Sequence, residues 1–499
     1  MVMTEEAERP AVAEARNEPA AGILKPGRNC WRIAKASRAS LLPDAATYFA
    51  RLEQAFRQAE RSILIIGWDF DGRIHLCPED RVCLPLGPML RELVETRPDL
   101  HVRILVWSLA VVHGPSATTE LLINPDWQEH PRITVRLDHE HPIYAAHHQK
   151  IVCVDDQVAF VGGIDLTVKR WDTWRHKAGD HRRIDPDGHD YEPVHDMQMI
   201  VEGDAARAVA EVAKTRWKRA LDEELPPVAA AGTRWPDGLV PHFVDTDVAV
   251  ARTLPVWRTH PPVHEIGTLT LDAISAAKRC IYIEAQYFAN FEVAERLAES
   301  LQRPDGPEVV VLMSRVLPGK FEQFIMGRNR DRVLRRLMQA DRYKRFGGYH
   351  TVSPSPKGDV EILIHAKLLI VDDQFLRVGS ANLNNRSVGL DTECDLAIEA
   401  STDQQREVIA RLRRELLAGH LHVSPDELAE TTRRLGSTIA AIRALGKGGT
   451  GLHDFTTVKP KGPTGPVFGT GLLDPKEPLS ERWWWGGRKK GQPPKLAPS

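Results

Sequence analysis

Two segments of this chain are near copies of each other: His148-Gln149-Lys150-Ile151-Val152-Cys153-Val154-Asp155 and His365-Ala366-Lys367-Leu368-Leu369-Ile370-Val371-Asp372. Each places a Lys two residues and an Asp seven residues after a His. The likeness continues at the same spacing, with Asp156-Gln157 returning as Asp373-Gln374, Val161-Gly162 as Val378-Gly379 and Leu166 as Leu383. One such match is a weak signal in a long chain, but two in register, with matching flanks, are an internal repeat. The chain is therefore expected to fold as two like halves.

Strand geometry constrains what the motif residues can do. Ile151–Val154 and Leu368–Val371 are short apolar runs that end at Asp-Asp-Gln, which reads as a strand followed by a turn. Side chains alternate along a strand, so His148 and Lys150 share a face, as do His365 and Lys367. A Lys is costly to bury unpaired, which favours a catalytic over a core role for these histidines. Seven residues of extended chain span roughly 20 Å, so Asp155 and Asp372 cannot orient the histidines of their own motifs. Their expected role is structural, fixing the turn after the strand, and another carboxylate must hold each imidazole.

Residue by residue the repeat resembles the phospholipase D superfamily, from about Trp31 to about Leu445. The likeness is most specific in Gly379-Ser380-Ala381-Asn382-Leu383-Asn384-Asn385-Arg386-Ser387 followed by Asp391-Thr392-Glu393, and Ile281–Phe288 resembles the opening strand of that family's second half. Ala285, where relatives often carry Asn, and Asp165, opposite Asn382 of the second copy, depart from the pattern. The resemblance implies an α/β fold of two similar α-β-α sandwich lobes related by a pseudo-twofold axis, with the site between them. It implies cleavage of the head-group phosphodiester of a glycerophospholipid to phosphatidic acid and a free alcohol, through a phosphohistidine. By analogy His148 is the nucleophile and His365 the acid/base, although the symmetry of the repeat leaves the reverse open. Lys150 and Lys367 would supply charge to the phosphate oxygens. Asp196 and Glu393 are the implied histidine-orienting carboxylates, each also readable as a solvated acid at a strand start. Asp165, Asn382, Ser380 and Gly163 are the implied phosphate contacts, each also readable as a turn residue. No cofactor and no metal is expected.

Composition narrows the partners. The chain has 499 residues, 42% hydrophobic and 27% charged, with a formal net charge of -2. A nucleic-acid binder is more often basic, so no nucleic acid is expected. The six Cys show no metal-ligand spacing, and no apolar run is long enough for a spanning helix. The expected partners are a phospholipid, a transient membrane surface and a water or alcohol acceptor, for a monomeric, cytoplasmic protein making peripheral membrane contact. The rival functions are a cardiolipin-synthase-type phosphatidyltransferase, a nuclease and a non-enzymatic lipid-binding protein. The expected domains are a disordered tail over 1–28, a first lobe over 29–222, a crossing segment over 223–262, a second lobe over 263–445 and a Pro/Gly-rich tail over 446–499. Arg170–Arg183 reads as a long loop that covers the site mouth. Basic residues from Arg328 to Lys344, and Trp483-Trp484-Trp485 with Arg488, read as solvated surface or as a lipid-facing rim.

Overall fold

The computed structural model describes residues 22–78, 83–108, 126–228, 232–317, 319, 323–446 and 451–478. The Trp483–Trp485 stretch lies outside them. The first half begins with strand β1 (Arg32–Leu42) and helix α1 (Ala45–Gln58). α1 starts where Asp44 accepts a hydrogen bond from the Thr47 N–H at 2.6 Å, an N-cap, and it buries Tyr48, Phe49, Leu52 and Phe56 at helical spacing. Then come β2 (Ser62–Gly67), α2 (Leu86–Thr96), β3 (His101–Trp107), β4 (Ile133–Asp138), the motif strand β5 (Ile151–Val154), β6 (Val158–Gly162), β7 (Gln198–Gly203) and α3 (Asp204–Leu221).

The second half repeats the plan. It contains β8 (Phe243–Leu254), α4 (Glu265–Ala276), β9 (Cys280–Ala285), α5 (Phe291–Gln302), β10 (Glu308–Met313) and α6 (Arg328–Ala340). β11 (Phe346–Ser353), the motif strand β12 (Lys367–Val371), β13 (Phe375–Gly379), β14 (Glu393–Glu399) and α7 (Asp403–Leu421) follow.

The strands pair in one line, β4-β3-β2-β5-β6-β7-β1-β8-β14-β13-β12-β9-β10-β11. The order reads alike from either edge: three parallel strands, then the antiparallel motif strand, then a hairpin partner. One face of the sheet carries a core shared by both halves under α3 and α7. The opposite face carries two separate cores, one under α1 and α2, the other under α4, α5 and α6. Each fully buried Val, Leu or Ile on these faces contributes about 1.5–3 kcal/mol.

Three boundaries differ from expectation. The crossing segment over 223–262 holds the 12-residue β8, which joins the halves at the sheet centre by pairing with β1 from Arg32↔Val250 to Ala39↔Phe243 and with β14. One sheet thus runs through both lobes. At the amino end, residues expected in the tail are packed: the Ile23 and Leu24 N–H groups donate to the Glu399 carboxylate at 2.9 and 3.0 Å. At the carboxyl end, Gly451–Asp454 adds a strand to β11, and the chain runs on against α6. There Arg332 donates to the Gly465 and Pro466 carbonyls, and Arg335 to those of Lys459 and Pro463. These two α6 arginines therefore clamp the protein's own backbone.

The motif aspartates close the turns at the far end of the strands. Asp155 accepts hydrogen bonds from the N–H groups of Glu60, Arg61 and Ser62 and from Arg234 Nε. Asp372 accepts from the N–H groups of Lys278, Arg279 and Cys280. Each thereby ties the turn after its motif strand to the start of the antiparallel neighbour, β2 or β9. Asp155→Asn and Asp372→Asn are expected to destabilise by about 2–4 kcal/mol, because buried N–H donors lose a charged acceptor. Thermal unfolding should register the loss, while activity per folded molecule stays within about threefold of the starting protein, since neither group reaches the histidines.

Candidate active site

Each motif histidine sits just before or at the start of its strand, on a segment that crosses to the other half. The His365 N–H donates to the His195 carbonyl at 2.7 Å, continuing a two-residue parallel pairing of Leu363-Ile364 with Val194-His195. The His148 N–H donates to the Thr392 carbonyl at 3.0 Å beside the parallel bridge of His147 with Thr392. In both cases the next residue along the partner segment is a carboxylate, Asp196 or Glu393. Backbone pairing therefore delivers each acid to the imidazole of the opposite half.

The side chains complete that exchange. His148 Nδ1 lies 2.9 and 3.1 Å from the two Glu393 oxygens, and His365 Nδ1 lies 2.6 Å from Asp196 Oδ2. A carboxylate at Nδ1 takes the N–H there and leaves Nε2 with its lone pair outward. The carboxylates are 0% and 2% exposed, whereas His148 and His365 keep 16% and 9%, so the rings form the open side of the site. Burial raises Glu393 to about 7, against the lowering effect of its hydroxyl partners, and raises Asp196 to about 6. Burial, then the neighbouring lysines, holds both imidazoles well below the usual histidine range.

The two acids are supported differently. Glu393 accepts hydrogen bonds from Ser380 Oγ at 2.6 Å and Ser387 Oγ at 2.7 Å. Asp196 accepts from the Met197 N–H at 2.8 Å. Gly163 stands in the place of Ser380 there, and a Cβ on it would fall 2.1 Å from Asp196 Oδ1. The small residue is thus required by the close approach of the acid.

The lysines lie beside the rings. Lys150 Nζ donates to the His148 carbonyl at 3.0 Å, sits 2.9 Å from Asp165 Oδ2, and faces the Trp68 ring at 5.9 Å. Lys367 Nζ donates to Gln286 Oε1 at 2.9 Å and stands 3.0 Å from His365 Nδ1. Burial pushes Lys367 down to about 7, with Asp196 pulling it back.

The geometry corrects the expected phosphate set. Asp165 is an acceptor already engaged by Lys150 and by the Trp68 N–H, Ser380 is spent on Glu393, and Gly163 packs against Asp196. These three support the lysine and the acids from behind. Asn382 does not repeat the Asp165 contact, because Lys367 turns to Gln286, and its Oδ1 is buried without a hydrogen-bond partner. Sequence reading missed the roles of Gln286, Ser387 and Trp68. Gln286 and Ser387 lie inside the two quoted family-like stretches, and Trp68 follows β2 as Gln286 follows β9. The Arg170–Arg183 loop turns inward, burying Trp171, Asp172, His176 and Arg183.

Among the described residues two other clusters bring His, Cys or carboxylate groups together, Glu53-Cys77-Cys83 and His195-Glu284-His420. Burial pushes the Cys77 thiol up to about 12, so it stays protonated at neutral pH. In the second cluster each imidazole stands at hydrogen-bond distance from Glu284. Neither includes a motif histidine.

Residues 55–229 match the family model described as phospholipase D, and residues 270–417 the one described as cardiolipin synthase, PLD-like domain. The chain is similar to phospholipase D A of Dictyostelium discoideum, 26% identical over 433 residues, covering 72% of this chain and 32% of that protein. It is also similar to phospholipase D2 of Bos taurus, 24% identical over 460 residues, covering 71% and 48%. The chain thus spans about a third to a half of the length of these relatives. A crystal structure of phosphatidylserine synthase from Haemophilus influenzae Rd KW20 superposes with a TM-score of 0.52 at 13% identity, over 83% of this chain and 96% of that one. That is a likeness of fold.

Proposed function

The chain belongs to the phospholipase D superfamily, and on that premise we propose that it cleaves the head-group phosphodiester of glycerophospholipids through a phosphohistidine. The observation that carries this reading is the exchange of carboxylates between halves, which presents two imidazoles with free Nε2 atoms beside two lysines. His148 Nε2 attacks phosphorus and the bond to the head-group oxygen breaks, with His365, as imidazolium, giving that oxygen its proton. Water then gives a proton to His365 Nε2 and attacks phosphorus, the P–N bond breaks, and phosphatidic acid leaves. Lys150 and Lys367 balance the charge that collects on the non-bridging oxygens, and a phosphate between them would restore full charge to Lys367. The family analogy assigns His148 as nucleophile, and its greater exposure supports that choice.

Transfer to an alcohol follows from the same intermediate. The first alcohol departs before the second nucleophile arrives, so water and a small primary alcohol compete for one phosphohistidine. With mixed phospholipid vesicles, 1-butanol is expected to divert product from phosphatidic acid to phosphatidylbutanol while total turnover stays within about twofold. Hydrolysis that proceeds unchanged with no phosphatidylbutanol would contradict a shared, accessible intermediate. The match of residues 270–417 to the cardiolipin synthase model favours a second reading, transfer to a lipid alcohol. Phosphatidylglycerol as acceptor in the same assay separates the two, since a transferase would convert it and leave little phosphatidic acid.

A further inference from the structure

A line of buried groups runs beneath Asp196. Arg183 Nη1 donates to Asp172 Oδ1 at 3.0 Å, and Asp172 Oδ2 lies 3.0 Å from His176 Nδ1. His176 Nε2 lies 3.0 Å from His195 Nδ1, and His195 Nε2 lies 2.7 Å from Glu284 Oε2. The other Glu284 oxygen accepts from His420 Nε2 at 3.1 Å and from the Tyr282 hydroxyl. Asp172 also accepts from the N–H groups of Thr173 and Val194, so both acids are surrounded by donors and act as acceptors only.

Counting protons along this line gives a charge. Three hydrogen bonds join four ring nitrogens to two acceptor-only carboxylates and to each other, and each bond needs one proton. Two neutral imidazoles carry only two. The arrangement therefore holds a third proton, and one ring is an imidazolium. Burial pulls both rings down, but Glu284 lifts His195 above the usual histidine range while His176 falls to about 4, which places the charge on His195.

We propose that His195 is a positioning residue of the active site, a buried imidazolium held between His176 and Glu284 that keeps the adjacent Asp196 ionised beneath His365. This rests on the reading of His365 and Asp196 as a catalytic pair. Ser380 and Ser387 donate to Glu393, whereas Gly163 leaves Asp196 without a hydroxyl. Thr392, which precedes Glu393 as His195 precedes Asp196, carries no charge. The groups facing His195 are Asp44 from the start of α1, Asp172 and His176 from the inward loop, Tyr282 and Glu284 from β9, His420 from α7, and Asp196 on its own segment. Lys367 and Arg170 face Asp196 from the site side.

The test is a pH profile of kcat/KM on phospholipid vesicles for two variants. His195→Gln keeps the backbone carbonyl that holds His365 and an N–H donor for Glu284, but removes the charge. Asp196 should then take up its proton at higher pH. Because that proton completes the doubly protonated His365–Asp196 pair, the alkaline limb is expected to move up by about one unit, with activity on that limb rising about tenfold relative to activity at neutral pH. His176→Gln keeps an acceptor for His195 Nδ1–H and so keeps the imidazolium, and its limb should stay in place. A uniform loss in both variants, with neither limb moved, would overturn the proposal. A direct count uses no activity: nitrogen-15 histidine spectra of the unaltered protein should show a doubly protonated buried ring at pH 8. Its absence, or one equivalent of tightly bound zinc that is lost in His420→Ala, would also overturn it. A protein that shows the ring but hydrolyses no phospholipid would instead sink the proposed function and remove the pair on which His195 is said to act.

Discussion

Replacing either His148 or His365 with alanine is expected to lower kcat by at least about 10⁴-fold, because in the proposed cycle each ring forms or breaks a bond to the reacting atoms. The double variant should be little worse than either single one, since two residues of one cycle fail together. Stability should barely change in His148→Ala, because truncating that ring leaves Glu393 with its two hydroxyl donors, and should fall modestly in His365→Ala, where buried Asp196 loses its ring partner and keeps the Met197 N–H. Thermal unfolding alongside single-turnover kinetics checks both halves of the expectation. Activity within about 100-fold of the unaltered protein in either folded variant would be incompatible with a two-histidine cycle.

Glu393→Gln and Asp196→Asn are expected to cost about 10²–10⁴-fold in kcat, because an amide can present its N–H₂ to the ring and can no longer stabilise an imidazolium. The unaltered enzyme should show a bell-shaped dependence of kcat/KM on pH. Each imidazole–carboxylate pair titrates as a unit: the nucleophile pair must hold one proton and the acid pair two. Burial raises the acids to about 6 and about 7, so both limbs fall near neutrality. As pH drops below this range the nucleophile's Nε2 is capped and the rate falls; as pH rises above it the proton for the leaving group is lost. The profile has this shape whichever pair carries the higher value. Each amide variant should lose the limb of its own pair, and an unchanged bell would count against the pairing.

What could be read from the chain follows from how local each signal is. The motif strands and the turns after them were legible because the short apolar runs and the Asp-Asp-Gln turn are written into neighbouring residues. β1 and β8 were not. Arg32–Leu42 is rich in Ala, Arg and Lys, and Phe243–Leu254 carries Asp245 and Asp247, yet these two strands form the sheet centre. Small residues such as Ala36, Ala39, Ala249 and Ala251 fit there because helices press closely on both faces, and β-propensity depends on such surroundings. The motif histidines and lysines, and the acids that the structure sets against the two imidazoles, were legible through the repeat and the family likeness. The phosphate set was misjudged, because Ser380, Gly163 and Asp165 owe their places to contacts with residues well separated in sequence within the same half, and so does the Lys367–Gln286 pair. The buried His176-His195-Glu284 line was invisible for the same reason, being assembled from a loop, a two-residue strand and β9.

A covalent intermediate would separate the proposed mechanism from direct attack by water. Rapid acid-free quenching of turnover with radiophosphorus-labelled phospholipid should leave label on the protein. The bond should be acid-labile and alkali-stable, as a phosphoramidate is, and the labelled peptide should contain His148. In His365→Asn, which can attack but lacks the group that protonates the leaving oxygen and activates water, label should still arise slowly and then persist. Product formation with no labelled protein at any quench time, or label confined to the peptide containing His365, would contradict the assignment of His148 as the nucleophile.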